Sequence, residues 1–293
     1  MINQNKIIYF IVNPISGGGK GKLIVELIKS KFSDYYPHIH VTKQKGDAHA
    51  FTKLAIENNA SCVVSCGGDG TLNEVASALV GSYIPLAIVP IGSGNGLARH
   101  LKIPLSYTKA LDLILNSKKI IETIDVGKVN ENYFFSNAGI GFDAETIRSY
   151  SNQKTRKLMG YLKSMVLNIR TFKPVNATIK PPYQQHSGEI MLLNISNSNC
   201  MGYNFSICPK ASLKDGWLDV NIVKKSNWLA FLWIGIGYLL HLDLGKNRIQ
   251  LKVKELELNT SSNVMQIDGE YLSLNSSLLK INIIPKALKI LVG

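Results

Sequence analysis

The sequence predicts an α/β protein: a doubly wound domain followed by an antiparallel β-sandwich domain. Three observations carry this. From the start to about Asp125, apolar strand-like runs alternate with helical periodicity, as in a parallel sheet with crossover helices. From Ile124 onward strand follows strand, the pattern of an antiparallel sandwich. Three glycine-rich turns each stand between a strand-like run and a helical one.

In the first domain, residues 1–125, strands are expected over Ile7–Val12, Ile39–Thr42, Cys62–Cys66 and Pro85–Val89. Helices are expected over Lys20–Phe32, Ala48–Asn58, Leu72–Val80 and Tyr107–Leu115, where apolar residues recur every three or four positions. In the second domain, 126–285, the expected strands are Ile124–Val129, Tyr133–Asn137, Val175–Lys180, Glu189–Ile195, Leu218–Val223, Ile249–Val253, Glu255–Leu258, Val264–Ile267 and Leu279–Ile284. Helices Arg156–Thr171 and Asn227–His241 interrupt the run, and 286–293 returns to the first domain as a short strand.

The chain has 293 residues, 45% hydrophobic and 18% charged, the composition of a folded protein. Its net charge of +13 fits an anionic membrane surface or phosphate-bearing substrates. A nucleic-acid partner is not expected, because the basic residues are dispersed and form no recognition motif. Cys62, Cys66, Cys200 and Cys208 form no CxxC pair, which fits a reducing compartment. The polar N-terminus is no signal peptide. Trp228–Leu240 is apolar but shorter than the ~20 residues of a spanning helix. It suits a buried helix, a homodimer contact or a helix lying at a membrane interface.

The turns are Asn13-Pro14-Ile15-Ser16-Gly17-Gly18-Gly19, Gly67-Gly68-Asp69-Gly70-Thr71-Leu72-Asn73-Glu74 and Pro90-Ile91-Gly92-Ser93-Gly94-Asn95-Gly96. Glycine lets backbone approach a phosphate, and a helix N-terminus offers free N–H groups. Neither the P-loop nor the dinucleotide fingerprint fits: no Gly-Lys-Ser/Thr is present at the required spacing, and the third glycine of Gly92-Ser93-Gly94-Asn95-Gly96 comes one residue early. Asp69 would repel a phosphate, so it points to magnesium or to a proton to be moved. Taken alone, Gly-Asp-Gly would be a tight turn with Asp69 or Thr71 as a helix cap.

These turns, with Asn137-x-Gly139-x-Gly141-x-Asp143 and Asp268-Gly269-Glu270, resemble the diacylglycerol kinase catalytic family, which also holds sphingosine kinases and bacterial lipid kinases. The motifs occur in the family's order along nearly the whole chain. The resemblance implies a nucleotide-binding first domain, a lipid-binding sandwich, and transfer of the ATP γ-phosphate to a lipid hydroxyl with magnesium. The lipid would be of the diacylglycerol or sphingoid-base class. Matched by position, Asn13, Pro14, Ile15, Ser16, Gly17, Thr42, Gly68, Asp69, Gly70, Thr71, Leu72, Asn73, Glu74 and Ser93 would line the nucleotide site. Bacterial members place the catalytic base in the Asp-Gly-Glu motif, here Asp268 or Glu270, whereas sphingosine kinases use the acid matching Asp69.

Arg156 resembles phosphate-reaching arginines of sphingosine kinases, although a solvated helix end would look the same. Asp143 matches an acid that meets the sphingoid amine and hydroxyl, or it caps the helix that follows. A structural magnesium site maps to the Asp215 carboxylate with the carbonyls of Ser212 and Trp217. The family also implies a cytoplasmic enzyme peripheral to the inner face of the membrane. Two other readings share features of the sequence: NAD kinases also carry Gly-Gly-Asp-Gly-Thr, and a silent lipid or nucleotide sensor could keep the fold. Asp69, Asp268 and Glu270 together speak against a sensor, which would not need all three acids.

Overall fold

The computed structural model describes residues 7–35, 37–116, 120–151, 164–165, 167–202, 205–240 and 247–293. The chain forms two compact units, one running to Val126 and including Pro285–Gly293, the other Gly127–Ile284.

The first unit is built on a parallel sheet of β1 (Ile8–Val12), β2 (His38–Val41), β3 (Cys62–Gly67) and β4 (Leu86–Pro90), in the order β2-β1-β3-β4. The last part of β15 (Leu278–Val292) joins the β4 side, with Ile290 parallel to Leu86. β1, β3 and β4 are buried along their whole length, which is why they read as unbroken apolar runs. Beside them run α2 (Gly21–Lys31), α3 (Asp47–Glu57), α4 (Asp69–Leu79), α5 (Gly96–His100) and α6 (Tyr107–Leu115), with α1 (Ser16–Gly19) a single turn broken by left-handed glycines. Their buried residues follow the helical period: Ile24 and Ile28 on α2, Leu72, Val75, Ala76 and Leu79 on α4, Ala110, Leu111 and Ile114 on α6. Phe10 of β1 meets Phe32 edge-on at 4.8 Å.

Antiparallel pairing dominates the second unit. Its strands are β5 (Ile120–Val129, which begins in the first unit), β6 (Asn132–Phe134), β7 (Asn137–Gly141), β8 (Val175–Ile179), β9 (Gly188–Ser196), β10 (Leu218–Lys224), β11 (Arg248–Val253), β12 (Glu255–Thr260), β13 (Val264–Ile267) and β14 (Glu270–Ser273). The strand order is β14-β13-β7-β9-β8-β12-β15, with β10 paired to β9 and β11, and β5 paired to β6. Along β9, Leu193 and Ile195 enter one apolar cluster and Leu192 another, and an irregularity in the pairing opposite Val223 and Lys224 shifts the phase, so that Ile190 joins the first cluster and Met191 the second. The second cluster includes Phe142 of α7 (Phe142–Ser151) and Phe231, Ile234 and Tyr238 of α8 (Trp228–Leu240).

Two features depart from the sequence reading. The single strand expected over Tyr133–Asn137 is two strands, because the N–H groups of Phe135, Ser136 and Asn137 turn to the carboxylate of Asp268. The Asn137-to-Asp143 motif, given no element of its own beyond Asn137 in the sequence reading, is the fully buried β7 followed by the start of α7. The expected helix Arg156–Thr171 lies largely outside the described residues.

Candidate active site

Parallel register brings the three glycine turns of the first unit to one sheet edge. Val12 pairs with Cys66, and Gly67 with Pro90. The turns are then joined through main-chain bonds: Asn13 N to Cys66 O at 2.9 Å and Ile91 N to Gly67 O at 2.9 Å. Glycine is required where the turns touch. A Cβ on Gly92 would stand 2.6 Å from Gly68 Cα, and one on Gly17 would stand 2.6 Å from Ile91 O. Gly17, Gly18 and Gly19 take φ values of 61°, 74° and 92°, so three successive residues adopt the left-handed conformation that side chains disfavour.

Side chains lock this edge. Asn13 Nδ2 donates to Thr71 Oγ1 at 3.1 Å, and its Oδ1 accepts from Ile15 N at 3.1 Å. Asp69 opens α4 and reaches the third turn, where Oδ2 accepts from Asn95 N at 2.9 Å and Oδ1 from Gly96 N at 3.0 Å. It thereby caps α5 across the edge. Asn95, at φ 52°, donates from Nδ2 to Gly92 O at 2.7 Å, and Arg99 Nε donates to Gly94 O at 2.8 Å. Glu74 Oε1 accepts from Gly46 N at 3.0 Å, and Thr42 N donates to Val12 O at 2.9 Å. Ile15 is 80% exposed, unusual for an isoleucine in a turn. Ser93 is exposed, and Pro14, Ser16, Gly68, Gly70 and Asn73 are half-buried. Leu72 is buried in the core, so only its backbone faces this edge.

In the second unit, Ile267 pairs with Glu270, leaving Asp268-Gly269 as a two-residue hairpin turn with φ values of 48° and 83°. Asp-Gly favours such a turn because both central residues need positive φ. The Asp268 carboxylate accepts from Phe135 N (3.0 Å to Oδ2), Ser136 N (2.7 Å to Oδ1) and Asn137 N (3.1 Å to Oδ1). Glu270 is exposed at the start of β14.

Asp143 is buried, with Oδ1 accepting from Ala144 N at 2.8 Å and Oδ2 from Gln266 Nε2 at 3.3 Å. Burial pushes its carboxyl up to about 7, against the pull of the bonds from Ala144 and Gln266. Gln266 and Asn137 were not singled out from the sequence as site residues. The signal for Gln266 was present: it is the one polar side chain in the strand Val264–Ile267.

Asp215 Oδ1 accepts from Trp217 N at 3.1 Å, and Oδ2 lies 2.7 Å from Lys252 Nζ. Strand register explains the lysine, since Lys252 of β11 stands opposite Asp219 of β10 and reaches both carboxylates. The hydrogen bond to Asp215 raises the Lys252 pKa. Ser212 belongs to the same loop, where its Oγ accepts from Lys214 N at 3.3 Å. Arg156 lies outside the described residues.

The diacylglycerol kinase catalytic domain model matches residues 7–129, and the YegS C-terminal NAD kinase beta sandwich-like domain model matches 136–292. The chain is 32% identical over 281 residues to the diacylglycerol kinase of Bacillus subtilis, covering 92% of this chain and 90% of that protein. It is 29% identical over 260 residues to a "Probable lipid kinase YegS-like" of Yersinia enterocolitica, covering 86% of each. The crystal structure of a diacylglycerol kinase from Bacillus anthracis matches with a TM-score of 0.75 at 25% identity, over 98% of this chain and 97% of that one. An NAD kinase from Archaeoglobus fulgidus shares the fold alone, at 10% identity and a TM-score of 0.54 over 97% of this chain and 93% of that one. The chain belongs to the diacylglycerol kinase catalytic family of lipid kinases, which are phosphotransferases.

Proposed function

We propose that this enzyme transfers the γ-phosphoryl group of ATP to the hydroxyl of a membrane lipid of the diacylglycerol class. The observation that carries the reading is the edge of the first unit, where Asp69 clamps the Gly92–Asn95 turn against Gly68 and leaves closely apposed glycines to receive phosphate oxygens. Phosphoryl transfer asks mainly for positioning and charge neutralisation, which such a rigid edge supplies. Asn13 to Gly17, Thr42, Gly68 to Glu74 and Ser93 form the nucleotide side of this proposal.

The lipid hydroxyl oxygen bonds to the γ-phosphorus as the bond from that phosphorus to the β,γ-bridging oxygen breaks. ADP departs and the hydroxyl proton passes to Glu270. Glu270 is preferred over Asp268 and Asp69 because it is exposed at the start of β14, where an incoming hydroxyl can reach it. Asp268 and Asp69 then act as positioning residues.

Magnesium suits the all-oxygen donors of this edge, among them the Asp69 carboxylate at the start of α4. Bound there, magnesium would neutralise phosphate charge. A second ion held by Asp215 with the carbonyls of Ser212 and Trp217 would compete with the ammonium of Lys252.

Asp143 favours diacylglycerol over a sphingoid base, because its carboxylate is buried and engaged by Gln266 and Ala144 rather than held out for an amine. Membrane contact is assigned to α8, which exposes Leu229, Leu232 and Trp233; no helix among the described residues is long and apolar enough to cross a membrane. With ATP as donor, the enzyme would work from the cytoplasmic face.

The test is incubation with labelled ATP, magnesium and, separately, diacylglycerol, sphinganine, monoacylglycerol, undecaprenol and NAD. Label in diacylglycerol is expected. Label in NAD and no lipid would replace this reading with an NAD kinase, and ATP binding without transfer to any acceptor would favour a sensor.

A further inference from the structure

Gln266 is fully buried on β13, two residues before the hairpin turn that leads into Glu270. A carboxamide in an apolar strand is costly to bury unless all of its bonding groups find partners. Here they do. Nε2 donates to Asn137 Oδ1 and to Asp143 Oδ2, and Oε1 accepts from Gly269 N at 3.2 Å. Space for this cluster comes from the residue directly across the strand pair. Gln266 faces Gly139, where a Cβ would stand 2.9 Å from Asp143 Oδ2. The spacing of Asn137, Gly139 and Asp143 is thus accounted for by one buried glutamine.

We propose that Gln266 is a positioning residue for phosphoryl transfer: its amide holds the Gly269 N–H against Asn137 and Asp143 and so sets the direction in which Glu270 leaves the turn. The inference rests on the reading of Glu270 as the base. Neither leucine nor glutamate meets the same demands. Leucine would leave the Gly269 N–H and two buried acceptors without this partner. Glutamate would set a second carboxylate against Asp143, whose own ionised form burial already disfavours.

The partners can be exchanged. With Gln266→Glu and Asp143→Asn together, an amide at 143 can donate to the carboxylate at 266, the Asn137 amide can turn over to donate its Nδ2 there instead of accepting, and Gly269 N–H still finds an acceptor. Either change alone is mismatched, because Asp143→Asn sets an NH2 against an N–H donor.

The experiment is steady-state lipid phosphorylation by Gln266→Glu, Asp143→Asn, the double variant and Glu270→Gln, with melting curves for each. The expected result is a fall in kcat of roughly 10- to 100-fold for each single variant at 266 or 143, the scale of a small misplacement of a reacting group. KM for ATP should stay within about twofold of wild type, and the double variant should regain at least about tenfold over Gln266→Glu. A purely structural role would lower the melting temperature without this split between kcat and KM. Wild-type kcat in folded Gln266→Glu, or a double variant no better than either single, overturns the proposal while leaving Glu270 in place. Wild-type kcat in Glu270→Gln instead overturns the assignment of the base.

Discussion

Asp69→Asn separates two roles that the same carboxylate could play. In the structure both oxygens accept main-chain N–H groups, Asn95 at 2.9 Å and Gly96 at 3.0 Å. Asparagine offers one oxygen and one NH2, so one of those N–H groups must face another donor. Hydrogen bonds to a charged group contribute about 1.5–3 kcal/mol each, and one of the two is lost. At ~1.4 kcal/mol per decade, the turn that packs Gly92 against Gly68 is weakened by a factor of about 10 to 150. ATP affinity should fall by a comparable factor, turnover by about 100-fold, and the melting temperature should drop with them. The assay is calorimetric titration of ATP beside a thermal melt and a turnover measurement on the same preparation. Unchanged ATP affinity and melting with collapsed turnover would refute this reasoning and return Asp69 to the role of proton acceptor.

Asp143 gives a pH test. Its folded-state carboxyl holds its proton to about 7, whereas an unfolded one releases it near 3.8. Between those values the folded state binds more protons, so the residue's contribution to stability falls as pH rises. Relative to wild type, Asp143→Asn should gain roughly 2–3 kcal/mol in urea unfolding between pH 5 and pH 8; a constant difference would contradict the assigned burial. Lys252→Met should make the melting temperature rise with magnesium by more than wild type does, since the ammonium no longer opposes Asp215; equal responses would show that Lys252 does not compete. With a net charge of +13, binding to vesicles of anionic lipid should weaken steeply as salt rises, as measured by co-sedimentation; salt-insensitive binding would leave the apolar face of α8 as the sole cause.

Much of the fold was legible because burial writes itself into periodicity. β1, β3 and β4 are covered on both faces and read as continuous apolar runs. The glycine turns were legible because close backbone approach excludes a Cβ, as at Gly92 and Gly17. The break between β6 and β7 was not, because it depends on a carboxylate more than 130 residues away in sequence, Asp268. For the same reason the partners of Asp69 were not legible. Sequence placed an acid at a strand-to-helix turn, and only the structure shows that its lone pairs meet the N–H groups of Asn95 and Gly96. Gln266 stands out in the sequence only as the one polar side chain of Val264–Ile267, and what it does there depends on Asn137, Asp143 and Gly269, which the fold brings around it.

The central claim is that Glu270 takes the lipid proton while Asp69 and Asp268 hold backbone turns. It is tested most directly by the turnover of Glu270→Gln with saturating ATP and diacylglycerol, beside its ATP dissociation constant. The account predicts a fall in kcat of about 100-fold or more with ATP affinity unchanged. A near-wild-type kcat for Glu270→Gln would contradict it.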